Sequence, residues 1–267
     1  MAPYRLGAVV YHPKVEQIWE AFGAWFAEQG FPLEATFFES YDEQVDALTD
    51  GRIDAAWNTN LAFVQTLERT EGACRAIAMR DTDIDWSSLI VASDGAEIRS
   101  LNDLRGKRVG FGDIDSPQAY ILPVHALRGQ GFDPATDCIA SRLDRDVGKH
   151  GDTGGAELAQ LARVRSGELD ACVLSSVTYE AVGRLGDADG LRVLWTSPPF
   201  HHCNYTVLDS STADHDRFVE LLLSMDAADP KLCEPMELEY VNSWVEPDLS
   251  GYGDLIEAVR SSPVAVG

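Results

Sequence analysis

Short apolar runs rich in β-branched residues alternate along the chain with longer segments whose apolar positions recur every three to four residues. The short runs have the length and composition of buried strands, and the longer segments have the period of amphipathic helices. In the first long segment, residues 14–30, the large apolar residues fall on one helical face and the segment ends in a glycine. This alternation predicts an α/β protein built on mainly parallel sheets.

The alternation runs through two sets of strands and helices in series. The first set extends to the run "SSLIVAS", and the pattern restarts near Ser100. After the Pro-Pro pair at 198–199, a further strand and two helices complete the chain. We therefore expect two lobes, one formed by residues 1–93 with 198–267 and one formed by the inserted residues 94–197. In such proteins a ligand binds in the crevice at the carboxyl ends of the strands, here expected between the lobes.

Charge and composition exclude several kinds of partner. The 267 residues include 44 acidic and 21 basic side chains, which gives a formal net charge of -23. A field of this sign repels nucleic acid and anionic lipid headgroups. The chain has no apolar run of the ~20 residues that cross a bilayer, so membrane insertion is not expected.

The N-terminal sequence "MAPYRLGAVVYHP" has neither the basic region nor the long apolar region of a secretory leader. The sequence as it stands therefore predicts a cytoplasmic location, or a periplasmic or extracellular one if a leader has been removed. The five cysteines are widely spaced and form no C-x-x-C pair, so neither a disulfide framework nor a zinc ribbon is indicated. This cysteine usage fits a reducing compartment.

Polar and aromatic residues at the ends of predicted strands are the candidate ligand-binding residues. They are Tyr11, His12, Trp57, Asn58, Asn60 and His201 in the first lobe, and Ser116, Gln118, Tyr120, Glu157 and Ser175 in the second. Aromatic walls with amides and hydroxyls suit a small polar ligand. Each has a structural alternative. Trp57 can be a core residue, and the role of Ser116 can be limited to capping its helix. The glycine-rich "KHGDTGGAE" lacks the ending of a phosphate loop, but its flexibility suits a loop that closes over a ligand.

The triplet His201-His202-Cys203 follows the Pro-Pro pair at the expected crossing between lobes. In an extended chain, adjacent side chains point to opposite sides, which predicts that His201 and Cys203 share a face. Joined by His12 or His150, they are the candidate metal ligands, and His12, His201 and Cys203 are the candidate catalytic groups. The structural alternative is a hinge segment stiffened by its prolines. The sequence identifies no cofactor.

Four segments in order resemble the phosphonate-binding proteins of ABC importers, which have the type II periplasmic-binding-protein fold. They are "GRIDAAW", "SLNDLRGKRVGFGDIDSPQAYILP", "GELDACVLSSVTYE" and "LRVLWTSPPF". The resemblance implies a two-lobed protein that closes on a small polar or anionic molecule. It also implies delivery of that molecule to an ABC permease, if the protein lies outside the cytoplasm.

The residues that match the family's ligand site depart from its pattern at four places. The family's S-T-S-G is Ser116-Pro117-Gln118-Ala119 here, and its G-[ST]-H aligns with Gly155-Ala156-Glu157. Its aspartate falls at Ser175, and its W-[LF]-G-P has become residues 57–60. These departures imply an altered pocket that suits a carboxylate, an amide-rich molecule or a cation better than a doubly charged phosphonate.

Two other functions remain open at this point. The same scaffold carries biosynthetic enzymes, and fold resemblance does not define function, so an intracellular enzyme using a metal held by His, Cys and carboxylate groups is the main alternative. A sensor or carrier that passes lobe closure to a protein partner is a third hypothesis.

Overall fold

The computed structural model describes residues 2–261 and confirms an α/β architecture. Its strands are β1 (Tyr4–Val9), β2 (Leu33–Phe38), β3 (Ala55–Asn58), β4 (Cys74–Arg80), β5 (Ser88–Ser93), β6 (Arg108–Gly110), β7 (Ile139–Ser141), β8 (Ala171–Ser175), β9 (Leu191–Thr196), β10 (Asn204–Leu208) and β11 (Trp244–Val245). Its α-helices are α1 (Lys14–Glu28), α2 (Tyr41–Thr49), α3 (Asn60–Arg69), α4 (Leu122–Gly129), α5 (Pro134–Asp137), α6 (Gly155–Arg165), α7 (Ser176–Arg184), α8 (His215–Leu223), α9 (Cys233–Leu238) and α10 (Gly253–Ser261). Within residues 2–261, no helix combines the length and apolar character that spanning a bilayer requires.

The chain forms two compact units. Unit 1 contains the residues up to Ile84 together with His201–Tyr252, and unit 2 contains Asp85–Phe200 together with the helix that begins at Gly253. The boundaries therefore differ from the predicted 1–93, 94–197 and 198–267. The chain crosses after Ile84, returns at His201, and crosses again before α10.

The sheet of unit 1 has the strand order β11-β4-β10-β3-β1-β2. Strands β2 and β3 flank β1 in parallel, whereas β10 pairs antiparallel with both β3 and β4. Helix α1 covers this sheet with its apolar face and ends as predicted: Gly30 follows it with φ +75°, a conformation that glycine adopts without steric cost. The apolar pattern of residues 14–30 therefore predicts both the helix and the face that it buries.

An aromatic cluster forms the core of unit 1. Phe218 of α8 is fully buried and stacks on Tyr4 and Phe26, with ring centroids 4.7 and 5.4 Å away, while Tyr205 meets it edge-on. Stacked and edge-on aromatic pairs stabilise a core beyond their area of burial. The cluster joins β1, α1, β10 and α8, so the segment that returns after residue 200 is integral to this unit.

The sheet of unit 2 has the strand order β7-β6-β8-β5-β9. The run "SSLIVAS", which the sequence analysis assigned to the first lobe, is β5 and lies antiparallel between β8 and β9. Leu89, Ile90, Val91 and Ala92 are all buried, and a strand that is apolar on both faces needs an interior place in a sheet. The apolar pattern identified the strand, but it contains no information on which sheet accepts it.

The long helix expected after Ser116 forms in two parts. Residues Pro117–Ile121 make a π-helical turn, and α4 continues from Leu122. The terminal helix α10 packs against α4 in unit 2, rather than completing the first lobe as predicted. Helix α9 and the two-residue strand β11 were not predicted, because segments this short show no clear period.

We expect Phe218→Ala to lower the free energy of unfolding of unit 1 by about 3–5 kcal/mol, because it leaves a cavity among packed rings. Urea unfolding followed by tryptophan fluorescence measures this loss. The control is Leu223→Ala on the same helix, where the side chain is 36% exposed and the expected change is within about 0.5 kcal/mol. Equal losses for the two variants would contradict this account of the core.

Candidate functional site

The start of the π-helical turn in unit 2 is the first part of the candidate site. Ser116 is buried, and its Oγ accepts a hydrogen bond from the Ala119 backbone N–H at 3.2 Å, so it caps the turn as the sequence suggested. Gly112 comes just after β6, and a Cβ there would lie 2.6 Å from the Ala119 Cβ, so only glycine fits. Ser88 of β5 donates its hydroxyl to the Gln118 carbonyl at 2.5 Å. The Gln118 backbone is thereby held against β5.

The carboxylate of Glu157 is the centre of the site. Its Oε2 accepts hydrogen bonds from the Ser175 backbone N–H at 2.7 Å and from the Ser175 hydroxyl at 3.0 Å. Its Oε1 lies 3.4 Å from the Gln118 amide nitrogen, which donates to it. The side chain is only 3% exposed, and its donors are uncharged. A buried carboxylate is thus held by neutral dipoles alone.

Ser175 ends β8 and is the N-cap of α7. Its hydroxyl accepts from the Thr178 backbone N–H at 3.1 Å while donating to Glu157. The N-terminus of a helix, with backbone N–H groups pointing outward, is where proteins commonly bind an anion. In this chain the group at that place is the carboxyl side chain of Glu157.

A glycine-rich loop, residues 144–154, covers the start of the π-helical turn. The Gly151 carbonyl accepts from the Gln118 amide at 3.2 Å, and a Cβ on Gly151, where φ is +80°, would lie 2.4 Å from Ser116 Oγ. Asp113 and Asp115 fix the loop through the backbone N–H groups of Arg145 and Gly148, at 2.8 and 2.5 Å. The crevice beneath the loop is lined by Gly112, Ser116, Gly151 and Glu157 and has no space for a water molecule in this structure.

The site has an acidic balance. Burial raises the pKa of Asp113, Asp115 and Glu157 above their ordinary values. Two of their oxygens, Oδ2 of Asp113 and Oδ1 of Asp115, are buried without a hydrogen-bond partner, and so is Oε1 of Gln118. Acceptors therefore outnumber donors here, which suits a ligand that brings N–H or O–H groups.

Tyr120, the other candidate in this unit, faces a different neighbour. It is half-buried against Phe111, and its hydroxyl accepts from Arg142 at 3.2 Å. The Arg142 guanidinium also lies over the Tyr120 ring, 5.0 Å from its centroid. The structure thus brings together Ser116, Gln118, Glu157 and Ser175 but pairs Tyr120 with Arg142.

The candidates at the carboxyl end of β3 make contacts within unit 1. Trp57 is buried among Tyr205, Trp244 and the Arg80 guanidinium, as the core alternative predicted. Asn58 Oδ1 accepts from the Gln44 amide at 2.8 Å. Asn60 donates to the His201 carbonyl at 3.0 Å. The polar groups of Asn58 and Asn60 thus make hydrogen bonds within unit 1. A contact between these residues and a ligand stays a prediction.

The remaining candidates of the first lobe are spread over unit 1. Tyr11 is half-buried, and His12 is exposed with its Nδ1 accepting from the Lys14 backbone N–H at 3.2 Å. His201 is buried against Tyr252, and its Nε2 lies 3.3 Å from an Asp248 carboxylate oxygen. None of these contacts joins His12 to His201.

The His-His-Cys triplet lies directly before strand β10, which begins at Asn204. The predicted shared face of His201 and Cys203 stays a prediction. Within the triplet, His202 Nδ1 lies 3.0 Å from Cys203 Sγ. Asp83, which the sequence analysis did not nominate, is the third member of this group, whereas His150 is buried in unit 2. Burial lowers the pKa of His202 to about 4.

A sequence profile described as ABC transporter, phosphonate, periplasmic substrate-binding protein matches residues 9–252. The phosphonates-binding periplasmic protein of Escherichia coli strain K12 is 27% identical over 180 residues, which are 63% of this chain and 49% of that protein. The probable ABC transporter phosphite binding protein PhnD1 of Prochlorococcus marinus strain MIT 9301 is 24% identical over 156 residues, 55% of this chain and 49% of that protein. The matched part of the chain thus spans about half the length of these curated relatives.

Solved structures confirm the predicted type II periplasmic-binding-protein fold. PhnD1 of Prochlorococcus marinus in complex with methylphosphonate superposes with a TM-score of 0.73 at 18% identity, covering 96% of this chain and 97% of that one. A Xanthomonas citri protein bound to ATP gives 0.75 at 19% identity and covers both chains fully. The aliphatic sulphonate binding protein of Escherichia coli gives 0.61 at 15% identity, with 100% and 91% coverage. At these identities the likeness concerns the fold alone.

We expect Asp113→Asn to become more stable than the unchanged protein as the pH rises from 4 to 7, measured as the difference between their free energies of unfolding. Below the ordinary carboxyl pKa of 3.8 the side chain is protonated in both states and has no effect. As the pH rises, the unfolded chain releases this proton before the folded one does, so burial of Asp113 costs stability that asparagine does not cost. Urea unfolding at several pH values measures the difference. Asp189→Asn, at an exposed aspartate of the same unit, is the control. A difference independent of pH for Asp113→Asn would contradict the burial effect.

Proposed function

The chain belongs to the family of phosphonate-type periplasmic substrate-binding proteins of ABC transporters, and on that premise we propose that it binds a small polar molecule in an altered pocket, without transforming it. The profile match and the curated relatives favour binding over the enzymatic alternative. They also support a periplasmic location, in preference to the cytoplasmic one, and an ABC permease as the partner. The movement of the lobes on ligand binding, expected from the resemblance, stays a prediction.

The hydrogen bonds from Ser175 and Gln118 to Glu157 carry the proposal for the pocket. A phosphonate needs several N–H and O–H donors that converge on its oxygens, and a helix N-terminus normally supplies them. In unit 2 the backbone N–H and hydroxyl of Ser175 and the amide of Gln118 donate to Glu157. The donors available to a second anion are correspondingly fewer.

Electrostatic repulsion by carboxylates, like the shortage of donors, weakens the binding of a phosphonate. A phosphonate beneath the loop would lie beside Glu157 and Asp113, which both line the crevice. Like charges brought together in a poorly solvated place cost several kcal/mol. A neutral or positively charged ligand meets no such cost, and its N–H groups would satisfy the buried acceptors of Asp113 and Gln118. We therefore infer a ligand of neutral or cationic character with several hydrogen-bond donors.

The loop of residues 144–154 is the proposed gate. Its contacts to Ser116 and Gln118 run through the Gly151 backbone, and any side chain at residue 151 would collide with both residues. Opening the loop would break these contacts and the hydrogen bonds that Asp113 and Asp115 accept from it. The sequence-based expectation that "KHGDTGGAE" opens and closes over a ligand stays a prediction.

We expect Glu157→Gln to tighten the binding of methylphosphonate by about tenfold or more, because it removes a buried like charge while keeping the shape of the side chain. Isothermal titration calorimetry at pH 7 measures the dissociation constants of the variant and the unchanged protein. Glu180→Gln, which removes an exposed carboxylate of α7, is the matched control and should change binding little. Tight binding by the unchanged protein that Glu157→Gln leaves unaltered would contradict the proposed pocket.

A further inference from the structure

Three side chains with metal-binding atoms meet inside unit 1. Ligand atoms of Asp83, His202 and Cys203 all lie within 4.8 Å of one another, and all three residues are buried. His202 Nδ1 lies 3.0 Å from Cys203 Sγ and 3.8 Å from Asp83 Oδ1. Donors around a tetrahedral zinc ion, bound at 2.0–2.3 Å, are roughly 3.3–3.7 Å apart. The three atoms therefore need only small shifts to share one ion.

The fold brings these residues together from distant parts of the chain. Asp83 directly precedes the first crossing out of unit 1, and His202 and Cys203 directly follow the return at His201. The His202 backbone N–H donates to the Asp83 carbonyl at 2.9 Å, which fixes the two segments side by side. The Tyr252 hydroxyl donates to the His202 carbonyl at 3.3 Å and fixes this residue from another side.

The charged neighbours orient the group. Arg80 donates to both carboxylate oxygens of Asp83, at 2.6 and 2.8 Å, and lies 3.3 Å from a Glu239 carboxylate oxygen. Carboxylates that bind metal ions are commonly held by such outer hydrogen bonds. One buried guanidinium thus faces two buried carboxylates beside the group.

We propose that Asp83, His202 and Cys203 form a binding site for a divalent cation of the zinc class. One carboxylate oxygen, one imidazole nitrogen and one thiolate sulfur are a donor set that zinc accepts and that magnesium and calcium, which prefer oxygen alone, do not. The site lies within unit 1, whereas the proposed ligand site lies within unit 2. It would join the segments at which the chain leaves and re-enters unit 1.

The test uses the whole chain, treated with a chelator and then titrated with Co²⁺, a spectroscopic substitute for Zn²⁺. We expect one equivalent of Co²⁺ to produce a near-ultraviolet thiolate-to-metal absorption band, and Zn²⁺ to displace it. Zn²⁺ should also raise the midpoint of thermal unfolding by several degrees, because it binds the folded state alone. A titration of the unchanged protein without this band, or without a thermal shift, would overturn the proposal and leave only a hydrogen-bonded His-Cys pair.

The variant Cys203→Ala should abolish the band and weaken Zn²⁺ binding at least about a hundredfold, as expected when a ligand atom is lost. Cys74→Ala, at a buried thiol on β4, is the matched control and should keep both. His202→Gln tests the second ligand if Cys203→Ala folds poorly, and circular dichroism checks the folding of each variant. Equal Co²⁺ spectra for Cys203→Ala and the unchanged protein would place the ion elsewhere and contradict the proposal.

Discussion

The carboxylate of Glu157 at the N-terminus of α7 is the interaction on which the proposed ligand site depends. It accepts from the backbone and hydroxyl of Ser175 and from the amide of Gln118, and its side chain is buried. The Gln118 amide in turn donates to Gly151, which holds the loop of residues 144–154 over the site. One buried carboxyl group thus links a helix start, a strand end and a loop, and in the proposed pocket it would disfavour a negatively charged ligand.

The fold and the ligand preference depend on different parts of the chain. The family match and the structural likeness extend over nearly the whole chain, and they account for the two sheets and the strand ends from which a ligand site is built. The charge inside the pocket is set by a few side chains, so a family scaffold can accept a ligand of different chemistry. If residues 157 and 175 match the family's ligand positions as the resemblance implies, an acid at residue 157 and a serine at residue 175 change the balance of donors and acceptors on the same scaffold.

Much of the fold follows from the sequence because period and burial are local properties. Helix α1 and most strands were predicted in this way, whereas β5 was given to the wrong lobe, since an apolar run does not specify its neighbours in a sheet. In the site, Glu157 and Ser175 were nominated, but their mutual hydrogen bonds depend on tertiary placement. The grouping of Asp83 with His202 and Cys203 was missed because Asp83 lies far from them along the chain and only the fold brings the two segments together.

A crystal structure of the unchanged protein, soaked in methylphosphonate at high concentration and refined at high resolution, tests the central claim most directly. The account predicts that the Glu157 carboxylate remains on the Ser175 N–H and hydroxyl and that no phosphonate density appears at the start of α7 or beside Ser116. A phosphonate whose oxygens accept from Ser175 and Ser116, with Glu157 turned away, would contradict it.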